Sequence, residues 1–141
     1  MREILFRGKR EDNGEWVYGD FCKPCNIVFV ENGYDNVLKQ DNIPVCGDYE
    51  VIPETVGQYT GTDKNGTKIF EGDIVREKDV IHDGEIQIKG EKYVVEFQKG
   101  CWTIRAEDDC WDFLCTQDDL EVIGNIHDNP ELSEAANGYK D

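Results

Sequence analysis

Cys22-Lys-Pro-Cys25 is the pair in this chain with the spacing of metal or redox ligands, and Cys46 could add a third sulfur. A structural zinc site wants four ligands with paired spacing. No second Cys-x-x-Cys exists, and His82 and His127 are isolated in the sequence. A redox role needs a helix start after the pair in a βαβ setting, which is not indicated. Ordinary thiols near a strand end are therefore the favoured reading, and no metal site is assigned. Cys101, Cys110 and Cys115 read as small core or near-core residues.

Nucleophilic catalysis has little to work with, because the only serine is Ser133, close to the C-terminus. No local Ser–His–Asp or Cys–His arrangement appears. Asp108-Asp109 and Asp118-Asp119 are the carboxylate pairs that could serve acid–base or Mg²⁺ chemistry, but among 31 acids adjacent pairs arise by chance. The Gly-rich turns lack the lysine-hydroxyl ending of a phosphate loop. No catalytic, cofactor-binding or metal residue is assigned, no cofactor is expected, and the chain reads as a non-enzyme. Trp16, Trp102 and Trp111 are core candidates; a binding role for any of them requires exposure near a loop.

Charge narrows the partners. The net charge is −16, and no Lys or Arg lies between Ala106 and Tyr139. Such a surface repels phosphate backbones and anionic membranes, and it attracts basic proteins, including those that normally hold DNA. Four cations, Arg2, Arg7, Lys9 and Arg10, fall in the first ten positions. The sequence begins with charges and no apolar run, and the apolar stretch from Ile27 to Val30 is too short to span a bilayer. The expectation is a cytosolic protein with reduced thiols.

The elements that would position these residues are short strands. Ile4 to Arg7 and Glu15 to Gly19 flank Asn13-Gly14 and read as a hairpin; Asn26 to Glu31 is a third run, ending at Asn32-Gly33. Residues 34–48 read as a loop, and Tyr49 to Ile52 as a strand. Val56 to Thr60 and Thr67 to Phe70 are joined by Asn65-Gly66. Gly72-Asp73 is a sharp bend before Ile74-Val75, with Asp73 placed to bond amides across it. Glu85 to Lys89 alternates with Ile86 and Ile88 on one face. Lys92 to Phe97 places Tyr93, Val95 and Phe97 together, and Cys101 to Arg105 returns after Lys99-Gly100. A helical turn is expected around Trp111, Phe113 and Leu114, a last strand over Leu120 to Ile126, and a short helical turn with a frayed tail after Pro130. This spacing argues for an all-β barrel.

Three blocks carry a family resemblance. They are Arg2-Glu-Ile-Leu-Phe-Arg-Gly-Lys-Arg10 with Gly14-Glu-Trp-Val-Tyr-Gly19, the stretch Thr55 to Val75, and Glu121-Val-Ile-Gly-Asn-Ile-His-Asp-Asn-Pro-Glu-Leu132. In order and spacing they resemble the YopX-like proteins of phages and prophages. The resemblance implies an irregular N-terminal β region (1–54), a C-terminal SH3-like small β-barrel (55–127) and a short tail (128–141). It implies a phage or prophage origin and a bacterial host cytoplasm. It implies no catalytic residues, since none are established for the family. The leading expectation is an uncharacterised, non-enzymatic accessory protein that binds an unknown protein partner, with a basic host protein favoured. The alternatives are a DNA mimic that inhibits a host nucleic-acid enzyme, a nucleic-acid-binding barrel using Arg7, Lys9, Trp16 and Tyr18, and a homo-oligomer formed through strand edges. Nucleic acid is disfavoured by charge, and no membrane partner is expected.

Overall fold

The structure, a computed structural model, describes residues 4–30, 47–106, 110–116 and 119–132. The chain divides into two units, 1–59 and 60–141.

The first unit is an antiparallel sheet of β1 (Phe6–Lys9), β2 (Trp16–Cys22), β3 (Ile27–Val30) and β4 (Gly47–Glu50), in the order β4-β3-β2-β1. The start of β5 (Gly57–Thr62) pairs with β1, Arg7 opposite Gly57. Asn13-Gly14 makes the turn: Gly14 has a φ of +75°, and the Asn13 side chain accepts the Glu15 amide at 2.9 Å. Val17, Val28 and Val51 form the core, with Phe21, Tyr49 and Val56 packed on it. Gly8 makes room for this core, since a Cβ there would meet the Val51 side chain at 3.0–3.2 Å. Residues Pro53–Thr55 form a 3-10 turn, and the buried Thr55 hydroxyl accepts the Lys9 amide and donates to the Ile52 carbonyl.

The second unit contains β6 (Lys68–Phe70), β7 (Asp73–Glu77), β8 (Val80–His82), β9 (Glu85–Ile88), β10 (Lys92–Gln98), β11 (Cys101–Ala106), β12 (Trp111–Phe113) and β13 (Leu120–Asn125). Five of these make an antiparallel sheet ordered β12-β11-β10-β7-β13, and β8 pairs with β9. One face of the larger sheet packs Ile69, Val75, Val95, Ile104 and Leu120 together. The opposite face packs Ile74 and Val94 against Ile123, Ile126 and Leu132. Ile74 and Val75 are adjacent and both fully buried because β7 is covered on both sides. At the bend before β7, Gly72 has a φ of +91°, and the Asp73 carboxylate accepts the Phe70 amide at 2.7 Å. Lys99-Gly100 and Asp83-Gly84 both have positive φ at both residues, the conformation that a two-residue hairpin turn requires.

Five expectations change. Trp111–Phe113, expected in a helical turn, is the strand β12, and the 3-10 turn covers only Leu114–Thr116. The sheets are open: β12 and β13 end the five-stranded order, and among the described residues no ladder joins them into a closed barrel. Ile86 and Ile88 do not share a face. The β8–β9 register slips, so that Ile86 sits opposite Ile81 and Ile88 opposite Val80. These two partners are consecutive in β8 and leave opposite faces, because a bulge in β9 breaks its alternation. Cys101, Cys110 and Cys115 are exposed rather than core, since they lie at the start of β11, just before β12 and in the 3-10 turn after β12, where the chain leaves the packed sheet. The 34–48 loop ends earlier than expected, because Gly47 and Asp48 already pair in β4 with Val30 and Phe29. The Asn32-Gly33 turn and the tail beyond residue 132 lie outside the described residues.

Candidate functional site

The basic N-terminal hairpin places its cations against its own aromatics. Arg7 lies opposite Tyr18 and Lys9 opposite Trp16. The Arg7 guanidinium sits 4.4 Å from the Trp16 ring centre and the Lys9 ammonium 5.5 Å from it. Arg10 stacks on Tyr49 at 4.7 Å and forms a two-pronged bond with Asp12, its Nη2 reaching Oδ2 at 2.7 Å. Arg7 is buried. The strand register thus turns a basic and aromatic surface into an internal stack, and a strand of nucleic acid would have to compete with it.

Cys22 and Cys25 are both exposed and flank the 3-10 turn Lys23–Cys25, which Asn26 closes in the left-handed conformation. A hydrogen bond with Cys22, and then its charge, pushes the Cys25 thiol up, away from the depressed range of a reactive cysteine. Cys46 lies outside the described residues. Among the described residues no three His, Cys, Asp or Glu side chains converge as metal ligands. Of the carboxylate pairs, Asp108, Asp109 and Asp118 lie outside the described residues; Asp119 is exposed.

A pocket of about 350 Å³ opens in the second unit between the β5 end, Asp63-Lys64 and the Leu114-Cys115 turn. Sequence reading passed over it, although Asp63-Lys-Asn-Gly66 is a side-chain-organised turn. Asp63 Oδ1 accepts the Asn65 and Thr67 amides at 2.8 and 2.9 Å, and Oδ2 accepts the Val122 amide at 3.0 Å. Burial pushes this carboxyl up, but the Val122, Thr67 and Asn65 amides and Lys64 outweigh it and hold it below the ordinary value. Two of its hydrogen bonds close the turn and the third, from Val122, ties it to β13. The geometry suits it to a structural carboxylate rather than a proton donor.

The three tryptophans separate by environment. Trp16 is half-buried in the cation stack. Trp102 is half-buried, with Phe97 edge-on at 4.9 Å. Trp111 is 44% exposed and lies on β12, an edge of the five-stranded sheet, with Phe113 edge-on at 5.5 Å. Trp111 pairs with Arg105 and Phe113 with Thr103. Arg105 is engaged by Glu96 at 2.7 Å across the sheet. Burial raises the Glu96 carboxyl and the Arg105 and Gln98 contacts more than reverse this. Two exposed rings on this outer strand, backed by a neutralised ion pair, offer apolar area to a partner.

Among the described residues no helix is long and apolar enough to cross a membrane. A search of curated proteins finds no match to the chain. Among solved structures it is similar to protein EF1440 from Enterococcus faecalis, at 22% identity and a TM-score of 0.53, over 94% of this chain and 99% of that one. That likeness supports the fold alone. The family model described as YopX protein matches residues 5–134, which takes in both units and nearly every element described above. The chain belongs to the YopX family.

Proposed function

We propose that this protein is a non-enzymatic binding module of phage or prophage origin, working in the bacterial cytoplasm, and that it holds a basic protein partner along the β12 edge. The observation that carries the reading is the exposed Trp111–Phe113 pair on an edge strand. The chain between Ala106 and Tyr139 holds no cation to repel a basic segment. Arginine or lysine side chains of such a segment can stack on Trp111. We read the C-terminal unit as an open relative of the SH3-like design. Support comes from its topology: β7, β10, β11 and β12 form a meander, a 3-10 turn follows, and β13 returns to pair with β7.

The test is affinity purification of the tagged chain from bacterial lysate, with and without nuclease and at two salt concentrations, beside the Trp111→Ala and Phe113→Ala variants. A stoichiometric basic protein that survives nuclease and is lost from both variants is the expected result. Retention by both variants removes β12 as the site. A partner that disappears on nuclease treatment would favour nucleic-acid binding instead.

A further inference from the structure

The β8–β9 ribbon buries none of its apolar side chains. Val80, Ile81, Ile86 and Ile88 are each 50–63% exposed. The slipped register places Val80 with Ile88 and Ile81 with Ile86, so both faces of the ribbon carry a β-branched pair. Its two strands form a sheet of their own. A two-stranded ribbon with no covered face is marginal in water by itself. Yet its base is built with care. The Asp79 carboxylate accepts the Gly90 amide and bonds Arg76, each at 2.8 Å. The Gly90 amide, ahead of Arg76, holds the Asp79 carboxyl below its usual range. Any side chain at Gly90 would fall onto the Glu77 carbonyl, so only glycine lets the ribbon's two legs close there.

We infer that the β8–β9 ribbon is a self-association surface on which two copies of this chain lie antiparallel, the tip of each ribbon against the base of the other. Charge selects the occupant. The tip carries the exposed Asp83 and Glu85; the base carries the exposed Lys78, Lys89 and Glu91, with Asp79 engaged by Arg76, so lysines outnumber free acids there. Antiparallel self-pairing brings each acidic tip to a basic base, whereas parallel pairing sets like charges together. A twofold axis makes the contact reciprocal and closed, so it stops at a dimer. A polycationic partner, by contrast, meets lysines at the base. The net charge of −16 opposes the approach of two copies at long range. Added salt screens that repulsion and tightens the dimer, while it loosens any complex of this acidic chain with a basic protein.

The experiment is sedimentation equilibrium of the full chain at two salt concentrations, beside Ile81→Lys and Ile88→Lys, which act on opposite ribbon faces. Circular dichroism and thermal unfolding of each variant check the fold. The wild type is expected to be a monomer–dimer system that salt strengthens, with the dissociation constant raised roughly tenfold or more by whichever variant lies on the face the dimer covers. Lys89→Glu is expected to weaken the dimer, and the added Glu85→Lys to restore it. A wild type that stays monomeric at every concentration reached overturns the inference. So does a dimer that neither Ile→Lys variant weakens. Trp111→Ala should leave the dimer intact, so failure of the β12 proposal and failure of this one are separable.

Discussion

Strands β9 and β10 follow one another in the chain, and both carry β-branched residues, but they meet opposite fates. In β10, Val94 and Val95 are buried, because β7 and β11 flank the strand and both faces of the sheet are covered. In β9, Ile86 and Ile88 remain more than half exposed, because β8 is its partner in a two-stranded sheet. β-branched residues mark a strand in both cases. They say nothing about whether a second layer arrives to cover the face. The contrast teaches that β-branched residues stabilise this fold where neighbours close over them, and elsewhere are left available for contact.

The comparison can be broken most sharply by truncation. Ile104→Ala, at a fully buried site facing Val75 and Val95, is expected to cost about 2–5 kcal/mol in denaturant unfolding. A cost below about 1 kcal/mol would mean that the five-stranded sheet is not the stabilising core.

The bend that starts the core sheet comes next. Gly72→Val forces a β-branched residue to a φ of +91° and should destabilise by more than about 1 kcal/mol. The contacts its Cβ would make, with His127 and Ile126 at 3.6–3.9 Å, are ordinary, so backbone strain is the cause. An unchanged melting temperature would move the bend elsewhere.

A smaller effect tests the turn at the pocket. The folded Asp63 carboxyl titrates below its unfolded value, so its contribution is complete above about pH 4 and is lost as pH falls through the folded value. Asp63→Asn should therefore lower stability at neutral pH and flatten the acid limb of a stability–pH curve. A limb of unchanged slope would show that the three amide bonds are not coupled to folding.

The smallest effect completes the contrast. Ile86→Ala, measured dilute enough to keep chains apart, should change stability by no more than about 0.5 kcal/mol. A loss comparable with Ile104→Ala would mean the ribbon packs against something after all.

Much of this was legible in the residues themselves. Asn13-Gly14, Asp83-Gly84, Lys99-Gly100 and Gly72-Asp73 mark turns because only certain residues tolerate positive φ, a local property of the backbone. The strands between them follow from short-range alternation, and the family follows from three ordered blocks. The candidate sites were less legible. Trp16 and Trp111 look alike as letters, yet the register stacks Arg7 and Lys9 on one and leaves the other at a sheet edge.

What the amino-acid sequence determined alone was therefore the local grammar: β-class, turn positions, the acidic balance and family membership. Tertiary structure decided what that grammar could not, because burial and register depend on which distant segments meet. It left the sheets open, split Ile86 from Ile88 through a one-residue bulge, and brought Cys101, Cys110 and Cys115 to the surface. It also aimed the Asp63 carboxylate at an amide 59 residues away. Apart from the bulge, which sits inside a local hairpin, these outcomes depend on segments distant in the chain.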